Sequence, residues 1–151
     1  MLPPIERACM EIVSPERLGI GTGVHILVVD DFVPNIFIAT TILDEAKHSY
    51  DIAYHGPAAL KFFAVTKYSL ILMDIQMPKM SGLEVTRRIR SHELKKKLLP
   101  TPIIAVTAAG SDIREECISC GMNAFIEKPY LPEEMLDAIN RLAQHAKRFS
   151  I

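Results

Sequence analysis

From residue 24 onward, short β-branched runs alternate with longer amphipathic stretches, and few architectures accommodate that alternation. It is the signature of parallel strands joined by crossover helices. Five strands are predicted, at Val24–Val29, Tyr50–Tyr54, Leu70–Met73, Ile103–Val106 and Ala124–Ile126. The first, third and fourth are apolar enough to be buried on both faces. Five helices are expected to begin near Pro34, Pro57, Ser81, Asp112 and Pro132. Three of these starts carry proline in the first turn, where its missing N–H costs nothing. Ser81 with Glu84 predicts a reciprocal capping box, each side chain bonding the other residue's backbone N–H. Gly121 suits a left-handed helix stop. The expected class is α/β, with a single doubly wound parallel sheet.

In the last helix Met135, Leu136, Ile139, Leu142 and Ala143 recur at helical spacing and should lie on the sheet. The first helix is broader, because Ile36, Phe37, Ile38, Ile42 and Leu43 cover more than one narrow face. Two readings stand side by side: a wide core face, or a core face beside a surface for a partner.

At 151 residues the chain suits one domain with its own core. With 49% hydrophobic residues, 23% charged residues and a formal net charge of −1, no large field draws it to nucleic acid or anionic lipid. Apolar runs such as Ser69–Met73 fall far short of the roughly 20 residues that span a bilayer. Pro3, Pro4, Glu6, Arg7 and Glu11 interrupt the first stretch, so no export signal is read there and a cytoplasmic location is expected. Residues 1–23 read as a lead-in or linker. Their glycines, Gly19, Gly21 and Gly23, precede a strand rather than follow one, which argues against a dinucleotide loop.

Three cysteines argue against a disulfide framework. Cys117 and Cys120 form a C-x-x-C late in a predicted helix, where a low thiol pKa is not favoured, so they read as small core-facing residues. Histidines 25, 48, 55, 92 and 145 fall in no phosphotransfer pattern and read as structural or surface. Lys95–Lys97 reads as a solvated helix end.

In open α/β sheets the strand C-termini share one edge, and that edge holds the ligand. Asp30 and Asp31 follow the first strand, Asp74 the third, Thr107 the fourth, and Lys128 lies just past the fifth. A single strand-end Asp would be read as a turn or helix cap. Three carboxylates on neighbouring strands raise one another's cost of ionisation unless a cation sits among them. Oxygen-only ligands suit Mg²⁺, which binds through one or two carboxylates plus a phosphate. Lys128 would then neutralise one phosphoryl oxygen, and the Thr107 hydroxyl would donate to another.

Four motifs in order, Val28-Val29-Asp30-Asp31, Leu72-Met73-Asp74-Ile75-Gln76-Met77-Pro78 through Gly82, Ala105-Val106-Thr107-Ala108 and Glu127-Lys128-Pro129, resemble the receiver domain of two-component systems. The resemblance covers about residues 24–148. Met77-Pro78-Lys79-Met80-Ser81-Gly82 and Gly121-Met122-Asn123-Ala124 resemble receivers of hybrid histidine kinases in particular.

The resemblance implies a flavodoxin-like fold of strand order 2-1-3-4-5 and a signalling phosphoacceptor rather than an enzyme acting on a separate substrate. By it, Asp74 takes a phosphoryl group from a phosphohistidine. Asp31, Asp74 and the Gln76 carbonyl hold Mg²⁺, Asp30 acts largely through water, and Thr107 and Lys128 contact phosphoryl oxygens. Phe125 takes the position of the family's switch aromatic, and Lys128–Pro129 that of its cis bond. The partners implied are a histidine kinase or histidine phosphotransfer protein, meeting the first helix, and a downstream protein target, with no direct nucleic-acid or membrane partner.

Three rivals remain. A haloacid-dehalogenase phosphatase opens with D-x-D, whereas Asp30 and Asp31 are adjacent, and the chain has no room for a cap domain. A flavodoxin-like binding module leaves Thr107 and Lys128 unexplained. A non-phosphorylated interaction module of the same fold is the third.

Overall fold

The computed structural model describes residues 23–148, with side chains through residue 144. Strand β1 (His25–Val29) leads into helix α1 (Val33–Glu45), β2 (Ser49–Ala53) into α2 (Gly56–Val65), and β3 (Leu70–Met73) into α3 (Gly82–Lys96). Strand β4 (Ile103–Thr107) is followed by a 3-10 turn (Ser111–Ile113) and the short α4 (Arg114–Ser119), and β5 (Ala124–Glu127) by α5 (Pro132–Arg148). The five strands are parallel in the order β2-β1-β3-β4-β5, with pairs such as Val29↔Ala53, Val29↔Met73, Met73↔Ala105 and Ala105↔Phe125. This is the order that the resemblance implied. Among the described residues no helix is long and apolar enough to cross a membrane.

Strand period two divides the core. Leu27, Val29, Ile71, Met73, Ile103 and Ala105 pack on one face with residues of α2, α3 and α4, whereas Ile26, Val28, Leu70, Leu72, Ile104 and Val106 pack on the other with α1 and α5. Every residue of β3 and β4 is buried, as expected of strands covered on both sides. Each fully buried Leu or Ile contributes about 1.5–3 kcal/mol.

The broad apolar spread of α1 separates into two parts. Ile36, Ala39, Ile42 and Leu43 face the core, while Phe37 and Ile38 stay 70% and 50% exposed beside exposed Phe32 and Val33. On α5, Met135, Ala138 and Ile139 are buried and Leu136, Leu142 and Ala143 pack against them, as the periodicity predicts.

Several local expectations need correction. β1 begins at His25 rather than Val24, because the Val24 N–H turns to His48 Nδ1 at 3.1 Å. β2 lies one residue earlier than predicted, while β4 and β5 each run one residue further, to Thr107 and Glu127. The fourth helix starts at Arg114, because Ser111–Ile113 first winds as a 3-10 turn. Ser81 does accept from the Glu84 N–H, at 3.3 Å, but Glu84 does not complete the box. Its carboxylate meets the Arg88 guanidinium at 2.9 Å, a charged partner one turn further along the exposed face. Gly121 has φ +107°, which suits glycine at the stop after α4.

The lone histidines have local partners. His55 Nδ1 caps α2 by accepting from Ala58 N–H at 3.1 Å, and the rings of His92 and Phe63 meet edge to face. His145 and Cys9 lie outside the described side chains. Cys117 is buried and Cys120 half-buried, and burial pushes both thiols up, which disfavours the thiolate. Of the lead-in expected over residues 1–23, all but Gly23 lies outside the described residues.

Candidate functional site

The carboxyl edge of the sheet gathers side chains that are distant in the chain. Pairing of β1 with β2 extends one step past Val29, as the Asp30 N–H donates to the Ala53 carbonyl at 3.1 Å. The Asp30 carboxylate then accepts from the Phe32 N–H at 2.9 Å, forming a turn that aims α1 away from the edge. This bond stands in for the N-cap that Phe32 cannot supply. On the neighbouring strand the Asp74 N–H donates to the Val29 carbonyl at 2.9 Å, so Asp74 is placed beside Asp30 by the ladder itself.

Asp30 and Asp74 are each only 6% exposed, whereas Asp31 is exposed. One carboxylate oxygen from each of Asp30, Asp31 and Asp74 lies within 4.8 Å of the others. Lys128 closes the group from β5. Its backbone N–H donates to the Thr107 carbonyl at 2.8 Å, and its ammonium stands 3.0 Å from Asp30 and 3.6 Å from Asp74. The peptide bond that follows, Lys128–Pro129, is cis. Thr107 ends β4 fully buried, and its hydroxyl oxygen accepts from the Ala109 N–H at 3.2 Å, which leaves the hydroxyl proton to give.

One cation among three carboxylates leaves an excess of negative charge. Burial, followed by the charge of Asp30, raises Asp74 to about 6, against the lowering influence of Lys128 and the Gln76 N–H. A divalent cation held by oxygen ligands answers that imbalance, and the donor set contains neither nitrogen nor sulfur. The residues present therefore fit a hard cation.

The cleft beside the group has a volume of about 450 Å³, and its lining includes Asp31, Asp74, Gln76 and Lys128. Thus Asp30, Asp31, Asp74, Thr107 and Lys128 meet at one edge, and Gln76 borders them. Phe125 stands apart from this group and does not line the cleft. It is half-buried on β5 opposite Ala105, on the sheet face towards which Thr107 also points.

Sequence reasoning missed two features. Tyr130 lines the same cleft, its phenol pushed up to about 12 by burial and by the charge of Asp30. Its place two residues after Lys128 was the available signal. The Lys128–Asp30 pair, 98 positions apart, had no local signal at all.

Comparison with known proteins agrees with this geometry. A family model described as the response regulator receiver domain matches residues 26–140. The aerobic respiration control sensor protein ArcB of Escherichia coli is 33% identical over 107 residues, which is 71% of this chain and 14% of that protein. The chain therefore spans a small part of the length of such relatives. Among solved structures, the receiver domain of sensor histidine kinase PA1611 from Pseudomonas aeruginosa PAO1, with a magnesium ion coordinated in its active site cleft, aligns with a TM-score of 0.72 at 31% identity, covering 82% of this chain and 99% of that one. The receiver domain of the Saccharomyces cerevisiae response regulator Ssk1, solved with the histidine phosphotransfer protein Ypd1, aligns at 0.76 with 28% identity, covering 81% and 90%. With the family model over most of its length and the sheet order, acidic cluster and half-buried lysine described above, the chain belongs to the response regulator receiver domain family.

Proposed function

We propose that the chain is a phosphoacceptor of a two-component phosphorelay, and that Asp74 takes a phosphoryl group from a phosphohistidine. The observation that carries this reading is the setting of Asp74: a buried carboxylate at the carboxyl edge, beside two further carboxylates and 3.6 Å from a lysine ammonium. The unit that performs it is residues 24–148, and a cytoplasmic place of action goes with it.

In the transfer, an Asp74 carboxylate oxygen forms a bond to phosphorus and the phosphorus–nitrogen bond of the donor histidine breaks, its electron pair returning to the imidazole ring. The product is an acyl phosphate, and attack of water on its phosphorus restores the carboxylate. The chain's own groups promote both steps, so the chemistry is self-catalysed. Asp31, Asp74 and the Gln76 carbonyl would hold Mg²⁺, with Asp30 acting through water. When bound, that ion supplies positive charge that offsets repulsion between the carboxylates and the phosphoryl oxygens. Lys128, already among the carboxylates, gives its ammonium to a phosphoryl oxygen, and Thr107 gives its hydroxyl proton to another. As Thr107 moves toward the phosphoryl group, Phe125 follows inward and alters the surface read by a downstream protein. The exposed apolar patch of Phe32, Val33, Phe37 and Ile38 beside the cleft is the face for the donor, a histidine kinase or histidine phosphotransfer protein. The Ssk1 receiver's complex with Ypd1 supports a partner of that class.

The test is intact mass after incubation with a small-molecule phosphodonor, with and without Mg²⁺, for wild type and Asp74→Asn. Addition of a single phosphoryl group that requires both Mg²⁺ and Asp74 supports the proposal. No addition, together with a melting temperature that ignores Mg²⁺, leaves a passive interaction module of the same fold.

A further inference from the structure

At the opposite, amino-terminal edge of the sheet lies a larger groove of about 970 Å³ that the phosphoacceptor chemistry does not use. Its lining is mostly apolar and includes Phe63, Val65, Leu98, Leu99, Leu142 and Val24. Val65 is 83% exposed, Leu99 65% and Leu98 52%, so large apolar side chains stand in water along it. An apolar groove of this kind marks a binding surface. What covers it is indicated by where the chain enters the domain.

Val24 is itself part of the groove, and the chain's course just before it is set by the backbone. A Cβ on Gly23 would collide with the Lys47 carbonyl oxygen, so only glycine lets the chain pass there, and the Val24 N–H is held by His48 Nδ1 at 3.1 Å. The backbone at Gly23 and Val24 is therefore fixed where the chain joins the groove's lining. Ile20 and Leu18 stand three and five residues before Gly23. Fully extended chain covers about 10 Å and about 17 Å over those separations, so both side chains stay within short reach of Val24 on the groove's lining. Charge agrees with this occupant. Lys67 lines the groove and Lys95, Lys96 and Lys97 precede Leu98, all exposed and without an ion pair among the described residues, while the entering segment carries Glu6, Glu11 and Glu16 against Arg7 and Arg17, a small acidic excess.

We propose that this groove binds the chain's own N-terminal segment in cis, with Leu18 and Ile20 as the apolar anchors. The segment then covers Val65, Leu98 and Leu99, and whatever precedes the domain is coupled to the pole opposite Asp74. The coupling does not depend on the phosphoacceptor reading.

The full chain, with methyl groups labelled for NMR, is compared with a Leu18→Asp/Ile20→Asp variant, whose substitutions precede the first strand. Expected are shifts confined to the methyls of Val65, Leu98, Leu99 and Leu142, unchanged on dilution. A reciprocal variant, Leu99→Asp, at a position already mostly exposed, shifts the Leu18 and Ile20 methyls in turn. Groove methyls that ignore the double substitution overturn the proposal. So do shifts that disappear on dilution, which would make a second copy the occupant.

Discussion

Gly82 packs against the carbonyl oxygen of Asp74 so closely that no Cβ fits between them. The first residue of α3 thereby rests on the backbone of Asp74, and the Gly82 N–H donates to the Ile75 carbonyl at 2.9 Å. Gly82→Ala must push either α3 or the Asp74 peptide aside. The expected loss is about 1–3 kcal/mol of stability, typical of an overpacked site. Urea unfolding measures that loss, and the rate of phosphoryl acceptance should fall with it, because the displaced peptide carries the Asp74 carboxylate.

Among the described residues Lys128 is the sole ammonium beside the two buried carboxylates, 3.0 Å from Asp30 and 3.6 Å from Asp74. Its replacement in Lys128→Met leaves carboxylates without a counter-charge, a change that costs about 3 kcal/mol when one partner of a buried pair is removed. Unfolding with and without Mg²⁺ checks this: the variant should be the less stable protein, and added Mg²⁺ should restore more stability to it than to wild type. Equal stability of the two proteins without Mg²⁺ would mean that water already screens the cluster.

Phe37 is 70% exposed on the side of α1 turned from the core. Phe37→Ser should therefore change stability by no more than about 0.5 kcal/mol. Phosphorylation by a small molecule should be unaffected, while transfer from a histidine phosphotransfer protein should slow by about tenfold, the effect of losing an aromatic anchor. Equal rates from the protein donor would place the docking face elsewhere.

His48 accepts the Val24 N–H, and burial lowers its pKa from the ordinary histidine value. A lowered folded-state pKa means stability that is complete above the unfolded pKa and is lost as pH falls through the folded one. Asp74, raised to about 6, acts in the opposite sense, adding stability below its unfolded pKa that is lost as pH rises through about 6. An Asp74→Asn background removes that opposing contribution. In it, melting temperature should fall between about pH 7 and about pH 5, and a further His48→Asn substitution should flatten the fall.

The strands, their order along the chain and the edge at which chemistry gathers were legible in the residues themselves. Runs such as Leu70–Met73 declare burial on both faces, and a parallel sheet obliges residues at or just past the strand ends, Asp30, Asp74, Thr107 and Lys128, to share one rim. These are properties of short segments and of a topology with little freedom. The tertiary structure alone decided matters of long-range approach. It buried Ile36 and Leu43 while leaving Phe37 out, gave Glu84 to Arg88 instead of to its own cap, and brought Tyr130 into the cleft. It also buried Glu93, whose carboxylate accepts from Arg90 and from the Thr101 N–H at 2.6 Å each, tying α3 to the approach of β4. Periodicity reports which side of a helix is apolar, but not how much of that side a neighbour covers. A charged residue, likewise, carries no local mark of its partner, because that choice is made by distances that exist only once the sheet and its helices have packed.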